Sequence, residues 1–268
     1  MTVPVAPVPA LPDRYADASF VAMGGSSTVY RARTTDDERV VAVKVFRLDS
    51  DRITQELDAA ERLLDVDGVV PVLEHGQLDD GRRFLTTGFF ALGTLGGQLE
   101  AGREFTPDEV AAAGARLATT LDAVHRRGVV HGDVKPSNIL LDAAGALWLT
   151  DFGTARTPTS PAPDGPTLTY TVLYSAPEVL DGGHHSPRSD QYALGLVLAT
   201  LLLGEHPYGG FATRGIGPLV DRVRQGGLPD LSRDGVATDL AATVGRATSI
   251  DPEDRFEDCG ALADALRP

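Results

Sequence analysis

The strongest constraint on this chain is a change of period near residue 90. Before it, apolar residues come in short strand-like runs; after it they come at helical spacing. "ASFVAMGG", "STVYRARTT" and "DDERVVAVKVFRL" are rich in Val and Thr and are punctuated by Gly and Asp, which predicts three antiparallel strands joined by short turns. "VVPVLEHGQ" and "RRFLTTGFF" return to the strand pattern. Between them "DRITQELDAAERLLDV", 51–66, has helical spacing, with Leu57, Ala60, Leu63 and Leu64 expected on its buried side. The segment 106–128 is a fully punctuated helix. Thr106 and Glu109 form a capping box, Pro107 takes the first helical position, Arg126 and Arg127 fall in the last turn, and Gly128 follows. Val110, Leu117, Leu121 and Val124 supply its apolar stripe. Further helices are expected at 190–203, around 237–248 and at 257–267, while 154–171, rich in Pro, Thr and Ser, has no period and reads as a mobile loop. Strands gathered first and helices after them predict an α+β fold of two lobes. The glycines of "ALGTLGG", 91–97, supply the crossover.

Bulk properties narrow the function. The 268 residues carry a formal net charge of −14, which argues against a nucleic-acid backbone or an anionic membrane surface as partner. The single cysteine, Cys259, excludes an intrachain disulfide and suits a reducing compartment, so a cytoplasmic location is expected. The most apolar run, 192–204, is shorter than the roughly 20 residues that span a bilayer and reads as a buried helix. The alternating prolines of 1–13 predict a disordered tail ahead of a folded region over 14–268.

The residues that carry chemistry follow one another in an order suited to phosphoryl transfer. Such a reaction needs something to hold phosphates, metal ions to neutralise charge, and a group to orient the attacking hydroxyl. The turn "AMGGSSTV", 22–29, places Gly24 and Gly25 between two strands, where bare backbone N–H groups could approach phosphate oxygens. Lys44 is the only charge in the apolar run Val40–Phe46, a position that calls for a carboxylate partner or a bound anion. Glu56 is the preferred partner on the next helix and Glu61 its competitor. In "HGDVKPSNIL", 131–140, Asp133 could accept a hydrogen bond from a substrate hydroxyl, Lys135 could neutralise a transferring phosphate, and Asn138 offers an oxygen to a hard cation. "LTDFG" adds Asp151 on a glycine-hinged turn as a second metal ligand.

These motifs resemble those of the bacterial, eukaryotic-like (Hanks-type) serine/threonine protein kinases, over roughly residues 15–267. The resemblance implies a bilobal protein-kinase-like fold with a small lobe over about 14–87, a hinge at 88–90 and a large lobe over about 91–268. It implies transfer of the ATP γ-phosphate to Ser or Thr of a protein substrate, with Mg²⁺ or Mn²⁺. In that reading Lys44 pairs with Glu56 and binds phosphate, Asp133 is the catalytic base and Lys135 contacts the γ-phosphate. Asn138 and Asp151 hold metal, and Ala22, Gly24, Gly25, Val29, Ala42 and Leu140 line the nucleotide. Thr87 stands at the gatekeeper position, followed by Gly88, Phe89 and Phe90 in the hinge. Thr171 would bond Asp133 and Lys135, Glu178 and Arg255 would form a buried ion pair, and Asp190 would cap the backbone of the catalytic loop.

His-Gly-Asp also occurs in small-molecule kinases of the aminoglycoside-phosphotransferase type. Lys135, "APE" at 176–178 and "DPEDRF" at 251–256 resemble the protein-kinase pattern instead. The glycine turn departs from Gly-x-Gly-x-x-Gly-x-Val at its outer positions, Ala22 and Ser27, which keeps a nucleotide-binding pseudokinase open as an alternative. Gly132 replaces the Arg that in many kinases receives an activation-segment phosphate, so activity independent of that phosphorylation is expected. No sensor segment or repeat is apparent, which leaves regulation to a separate partner, to dimerisation, or to neither.

Overall fold

The computed structural model describes residues 7–47, 52–152, 170–231 and 235–267, without the side chains of residues 52, 170, 171 and 212. Five strands come first: β1 (Tyr15–Met23), β2 (Ser27–Thr34), β3 (Val40–Phe46), β4 (Val72–Gln77) and β5 (Arg83–Gly88). They form one antiparallel sheet in the order β1-β2-β3-β5-β4. Strand alternation sorts the two faces of β3. Val41, Val43 and Val45 bury with Tyr15, Tyr30, Ala32, Leu78 and Phe84 on one face. Ala42 and Lys44 lie on the other, where the register sets Val29 opposite Lys44 and Thr87 opposite Ala42.

Helix α1 (Arg52–Arg62) crosses the sheet between β3 and β4. Its buried positions are Ile53, Glu56 and Ala59, with Leu63 just beyond its end. Leu64, expected on the buried side, is 70% exposed. The helix stops at Arg62, so the rotation that would carry Leu64 inward does not continue. The Pro-rich segment also differs from expectation. Residues 1–6 lie outside the described residues, but Leu11 packs on the sheet's buried cluster and the Pro7 carbonyl accepts from the Tyr30 hydroxyl at 3.2 Å. Proline fixes this stretch in an extended form at little further entropic cost.

The larger lobe is helical: α2 (Leu95–Glu100), α3 (Pro107–Arg126), α4 (Tyr170–Leu173), α5 (Pro177–Leu180), α6 (Pro187–Leu203), α7 (Gly209–Ala212), α8 (Ile216–Gln225), α9 (Thr238–Ala247) and α10 (Cys259–Leu266). A two-stranded hairpin, β6 (Ile139–Leu141) and β7 (Leu147–Leu149), follows α3. The capping box of α3 forms with both reciprocal bonds. Val110, Leu117, Leu121 and Val124 are all buried to 1% exposure or less, each worth about 1.5–3 kcal/mol of transfer free energy. Helix α6 sits centrally and is buried at every position from Ser189 to Leu201, apolar but for a polar first turn at Ser189, Asp190 and Gln191 and for Thr200. Gly195 makes this packing feasible: a Cβ there would come within 2.7 Å of Thr248 at the end of α9. The lobes are stitched by backbone at the α1–β4 connection, where Leu149 N donates to Gly68 O at 2.7 Å and Val70 N to Leu149 O at 2.9 Å. Among the described residues no helix is long and apolar enough to cross a membrane.

Candidate active site

Lys44 reaches the site from the outward face of β3. Its Nζ lies 2.9 and 2.7 Å from the two carboxylate oxygens of Glu56 and 3.1 Å from Asp151 Oδ1. Glu56 stands on the buried face of α1, one turn after Ile53, which anchors the helix to Phe46 and Leu85. Burial opposes the charge on Lys44, yet the carboxylates of Asp151 and Glu56 outweigh it and hold the ammonium above its ordinary pKa. Burial likewise works against the Asp151 carboxylate, and Lys44, with Lys135 and His131 behind it, holds that carboxyl below the usual range. Asp151 adopts φ +67, a left-handed conformation that turns its side chain back toward Lys44 and accepts some backbone strain to do so.

The loop after α3 carries the second group. Asp133 is 8% exposed, and its Oδ2 accepts from Lys135 Nζ at 2.7 Å and from Asn138 Nδ2 at 3.1 Å. Asn138 Nδ2 also donates to the Asp133 carbonyl at 2.9 Å. With the amide nitrogen spent on Asp133, the side-chain oxygen Oδ1 of Asn138 is the atom left to meet a cation. Asn138 lies at the end of a short 3-10 turn, Pro136–Asn138, and its own carbonyl receives Thr150 N at 3.1 Å, so the loop is tied to the strand leading into Asp151.

This loop is held from beneath by α6. Asp190, 1% exposed, accepts from His131 N at 2.8 Å and from Gly132 N at 2.9 Å. His125, from the last turn of α3, bonds the same carboxylate at 2.8 Å. Burial resists ionisation of Asp190, but the bond from His125, the electrostatic pull of the two neighbouring histidines and the Gly132 amide together hold its carboxyl low. His131 Nδ1 accepts from Asp133 N at 3.2 Å, and its ring packs against Phe152 at 4.5 Å. Sequence reading missed His125, which ends an amphipathic helix where a basic residue is routine. Gly132 has φ +73, a conformation favoured by glycine.

Ala22 and Val29 are register partners at the β1–β2 end, and Gly24 N closes the turn on Ser27 O at 2.8 Å. A Cβ at Gly25 would meet nothing within 4 Å, so protein packing does not require a bare backbone there. Ala42 and Thr87 face one another on the sheet side that carries Lys44. Leu140 pairs with Trp148 in the β6–β7 hairpin. Gly88 ends β5 and Phe89 and Phe90 follow it. Arg255 and Glu178 meet through two bonds of 2.7 and 2.8 Å. The Thr171 side chain lies outside the described residues, as do Thr157, Thr159, Ser160, Thr167 and Thr169.

The donor set fits a hard divalent cation in one specific way. Among the described residues no group of three His, Cys, Asp or Glu could hold a metal unaided. One carboxylate and one amide oxygen match the habit of Mg²⁺, which takes few protein ligands and completes its shell with water and phosphate.

A family model for the protein kinase domain matches residues 15–218. The chain is 33% identical over 270 residues to the serine/threonine-protein kinase PknK of Mycobacterium bovis, covering 97% of this chain and 24% of the relative. It is 33% identical to PknE of Mycobacterium tuberculosis over 92% of this chain and 44% of the relative, and 34% identical to PknD of the same species over 90% and 37%. The chain thus spans less than half the length of these curated relatives. With a matched model over most of its length, a five-stranded small lobe and a helical large lobe, the chain belongs to the protein kinase family.

Proposed function

We propose that this chain transfers the γ-phosphate of ATP to serine or threonine hydroxyls of protein substrates. The observation that carries the reading is Lys44 gripping Glu56 and Asp151 together, beside a loop in which Asp133, Lys135 and Asn138 are already interlocked. These contacts support the reading of Lys44 as the phosphate-binding lysine and Asp133 as the loop aspartate that orients the acceptor hydroxyl.

Each residue has a role that its geometry supports. Lys44 Nζ, fixed by Glu56, offers a buried positive charge to the α- and β-phosphates. Val29, Ala42, Leu140 and Ala22 border the adenine, and the open space at Gly25 lets phosphate oxygens approach the backbone there, Gly24 N being engaged with Ser27 O. Among the described residues both hydrogen bonds to the Asp133 side chain fall on Oδ2, which leaves Oδ1 for the proton of the acceptor hydroxyl. Lys135 neutralises charge on the phosphoryl group in flight. Asn138 and Asp151 hold the metal, which supplies neutralisation of the phosphate charge when bound; Mg²⁺ suits their oxygen donors best, with Mn²⁺ the alternative. The anchored Ala176–Glu178 segment supports a peptide rather than a small molecule as acceptor.

Gly132 supports activity without activation-segment phosphorylation. It offers no cation to a phosphate on the activation segment. Replacing Thr157, Thr159, Ser160, Thr167 and Thr169 by Ala is expected to leave transfer to an external protein intact, and its loss would refute this part of the reading.

The principal test is transfer from labelled ATP with Mg²⁺ or Mn²⁺, comparing wild type with Asp151→Asn against a basic acceptor protein and a small-molecule panel. Label on protein, lost in the variant, is the expected result. Label only on a small molecule, or nucleotide binding without any transfer, would overturn it.

A further inference from the structure

Two consecutive aromatic residues follow β5, and each is held by a different lobe. The Phe89 ring lies under the guanidinium of Arg31 on β2, 5.6 Å from Cζ to ring centroid, and Phe89 N donates to the Val40 carbonyl of β3 at 3.4 Å. The next ring, Phe90, meets Trp148 of β7 edge to face, with centroids 6.0 Å apart and planes at 60°. The two successive rings engage opposite lobes, so one step along the chain passes from the small lobe to the large one.

The large-lobe side of this grip is rigid. Trp148 Nε1 donates to Asp142 Oδ2 at 3.0 Å, and Asp142 Oδ1 accepts from Ala144 N and Ala146 N at 2.9 Å each, closing the β6–β7 turn. The backbone after Phe90 is tied to the same hairpin, since Leu141 N donates to Gly93 O at 3.0 Å. On the small-lobe side, Arg31 is the register partner of Ala42, and Trp148 is the register partner of Leu140. Both gripping residues are thus direct neighbours of residues that the proposed function sets against the adenine.

We propose that Arg31 and Trp148 are positioning residues for the nucleotide. By clasping Phe89 and Phe90 onto opposite lobes they fix the spacing between the Ala42 and Leu140 walls that receive the base. This rests on the reading of the cleft as an ATP site.

The experiment titrates ATP at saturating acceptor protein. Trp148→Leu and Arg31→Met are each expected to raise the KM for ATP about three- to tenfold, the span of one aromatic-pair or cation–aromatic contact. The kcat at saturating ATP and the KM for acceptor protein stay at wild-type values. Trp148→Phe, which keeps an aromatic edge, restores most of the loss. Trp148 is the only tryptophan in the chain, so its emission provides a readout apart from turnover. ADP with Mg²⁺ is expected to shift the wild-type emission, and Phe90→Leu to shift it without nucleotide. Should Trp148→Leu fail to fold, the ADP Kd of Phe90→Leu carries the same test. An unmoved KM for ATP in an active enzyme overturns the inference, as does a joint fall of kcat and both affinities, the mark of a plain structural role. A wild type that neither binds nucleotide nor transfers phosphate overturns the proposed function instead.

Discussion

Arg255 and Glu178 are 77 residues apart in sequence and meet at two points, Nη1 on Oε1 at 2.7 Å and Nη2 on Oε2 at 2.8 Å. The guanidinium side chain is fully buried, whereas the carboxylate side chain keeps 25% exposure. Arg255 also donates to the carbonyls of Ser249, Ile250 and Arg188, and stacks over Tyr192.

The two partners are therefore unequal. Arg255→Met strands three carbonyls and a carboxylate and is expected to cost about 3–5 kcal/mol. Glu178→Gln leaves the guanidinium with its carbonyl partners and keeps one acceptor oxygen, so its cost is expected near 1–3 kcal/mol. Urea unfolding of both variants measures the difference, and equal losses would contradict the asymmetry.

On the proposed reading of the site, Lys44→Met should lower transfer sharply in a chain that still folds. Loss of one preorganised charge at the reacting phosphates is expected to lower kcat by about 10²–10³-fold. The pH dependence carries a second signature. Burial pushes the Asp151 carboxyl up and Lys44 pulls it down, with the pull dominant. Without Lys44 that carboxyl protonates at higher pH, so the acidic limb of residual transfer moves upward. A residual profile with an unmoved acidic limb would separate Asp151 from Lys44 electrostatically.

How much of this was legible in the sequence depends on how local each signal is. The capping box at Thr106 and Glu109, with Pro107, is chemistry within four residues, and it placed the start of α3 to the residue. Short Val- and Thr-rich runs between Gly and Asp turns gave the five strands, because β-branched residues and turn residues are both local signals. Helix α8 was not legible: it opens Ile-Gly-Pro and buries only Leu219 and Val223, too short a stripe to carry a period. The exposed Leu64 shows a related limit, since a spacing pattern does not announce where a helix ends. Within the site, residue types and order pointed to phosphoryl transfer, but the network beneath did not. His125 meets Asp190 across 65 residues, and no local pattern at either end announces the pair.

Asp190→Asn tests that network. The carboxylate accepts two backbone N–H groups and the His125 ring, so both oxygens are needed as acceptors. An amide must turn its NH₂ toward at least one donor. The expected cost is about 3 kcal/mol or more for a buried site left mismatched. Transfer is expected to fall further than stability alone accounts for, because His131 N and Gly132 N immediately precede Asp133. Chemical denaturation and kcat, both measured well below the unfolding midpoint, check the two expectations, and an unchanged kcat in a destabilised variant would confine Asp190 to a purely structural part.

His206 should make the large lobe sensitive to mild acid. Its Nδ1 accepts from Tyr208 N at 3.0 Å, and Tyr174 packs edge-on to its ring at 4.8 Å. Burial lowers the imidazole from 6.5 to about 4, against a weak opposing pull from the Leu173 backbone. Above pH 6.5 the ring is neutral in folded and unfolded chains alike. As pH falls below 6.5 the unfolded chain takes up a proton that the folded chain refuses until about 4. Stability is then full above 6.5 and declines toward 4, by on the order of 2–3 kcal/mol. His206→Asn keeps an acceptor for Tyr208 N and cannot take the charge. The difference between wild-type and His206→Asn unfolding free energies should therefore slope across this window and be level above it. A difference that stays level down to pH 4 would show that the ring is solvated enough to protonate without cost.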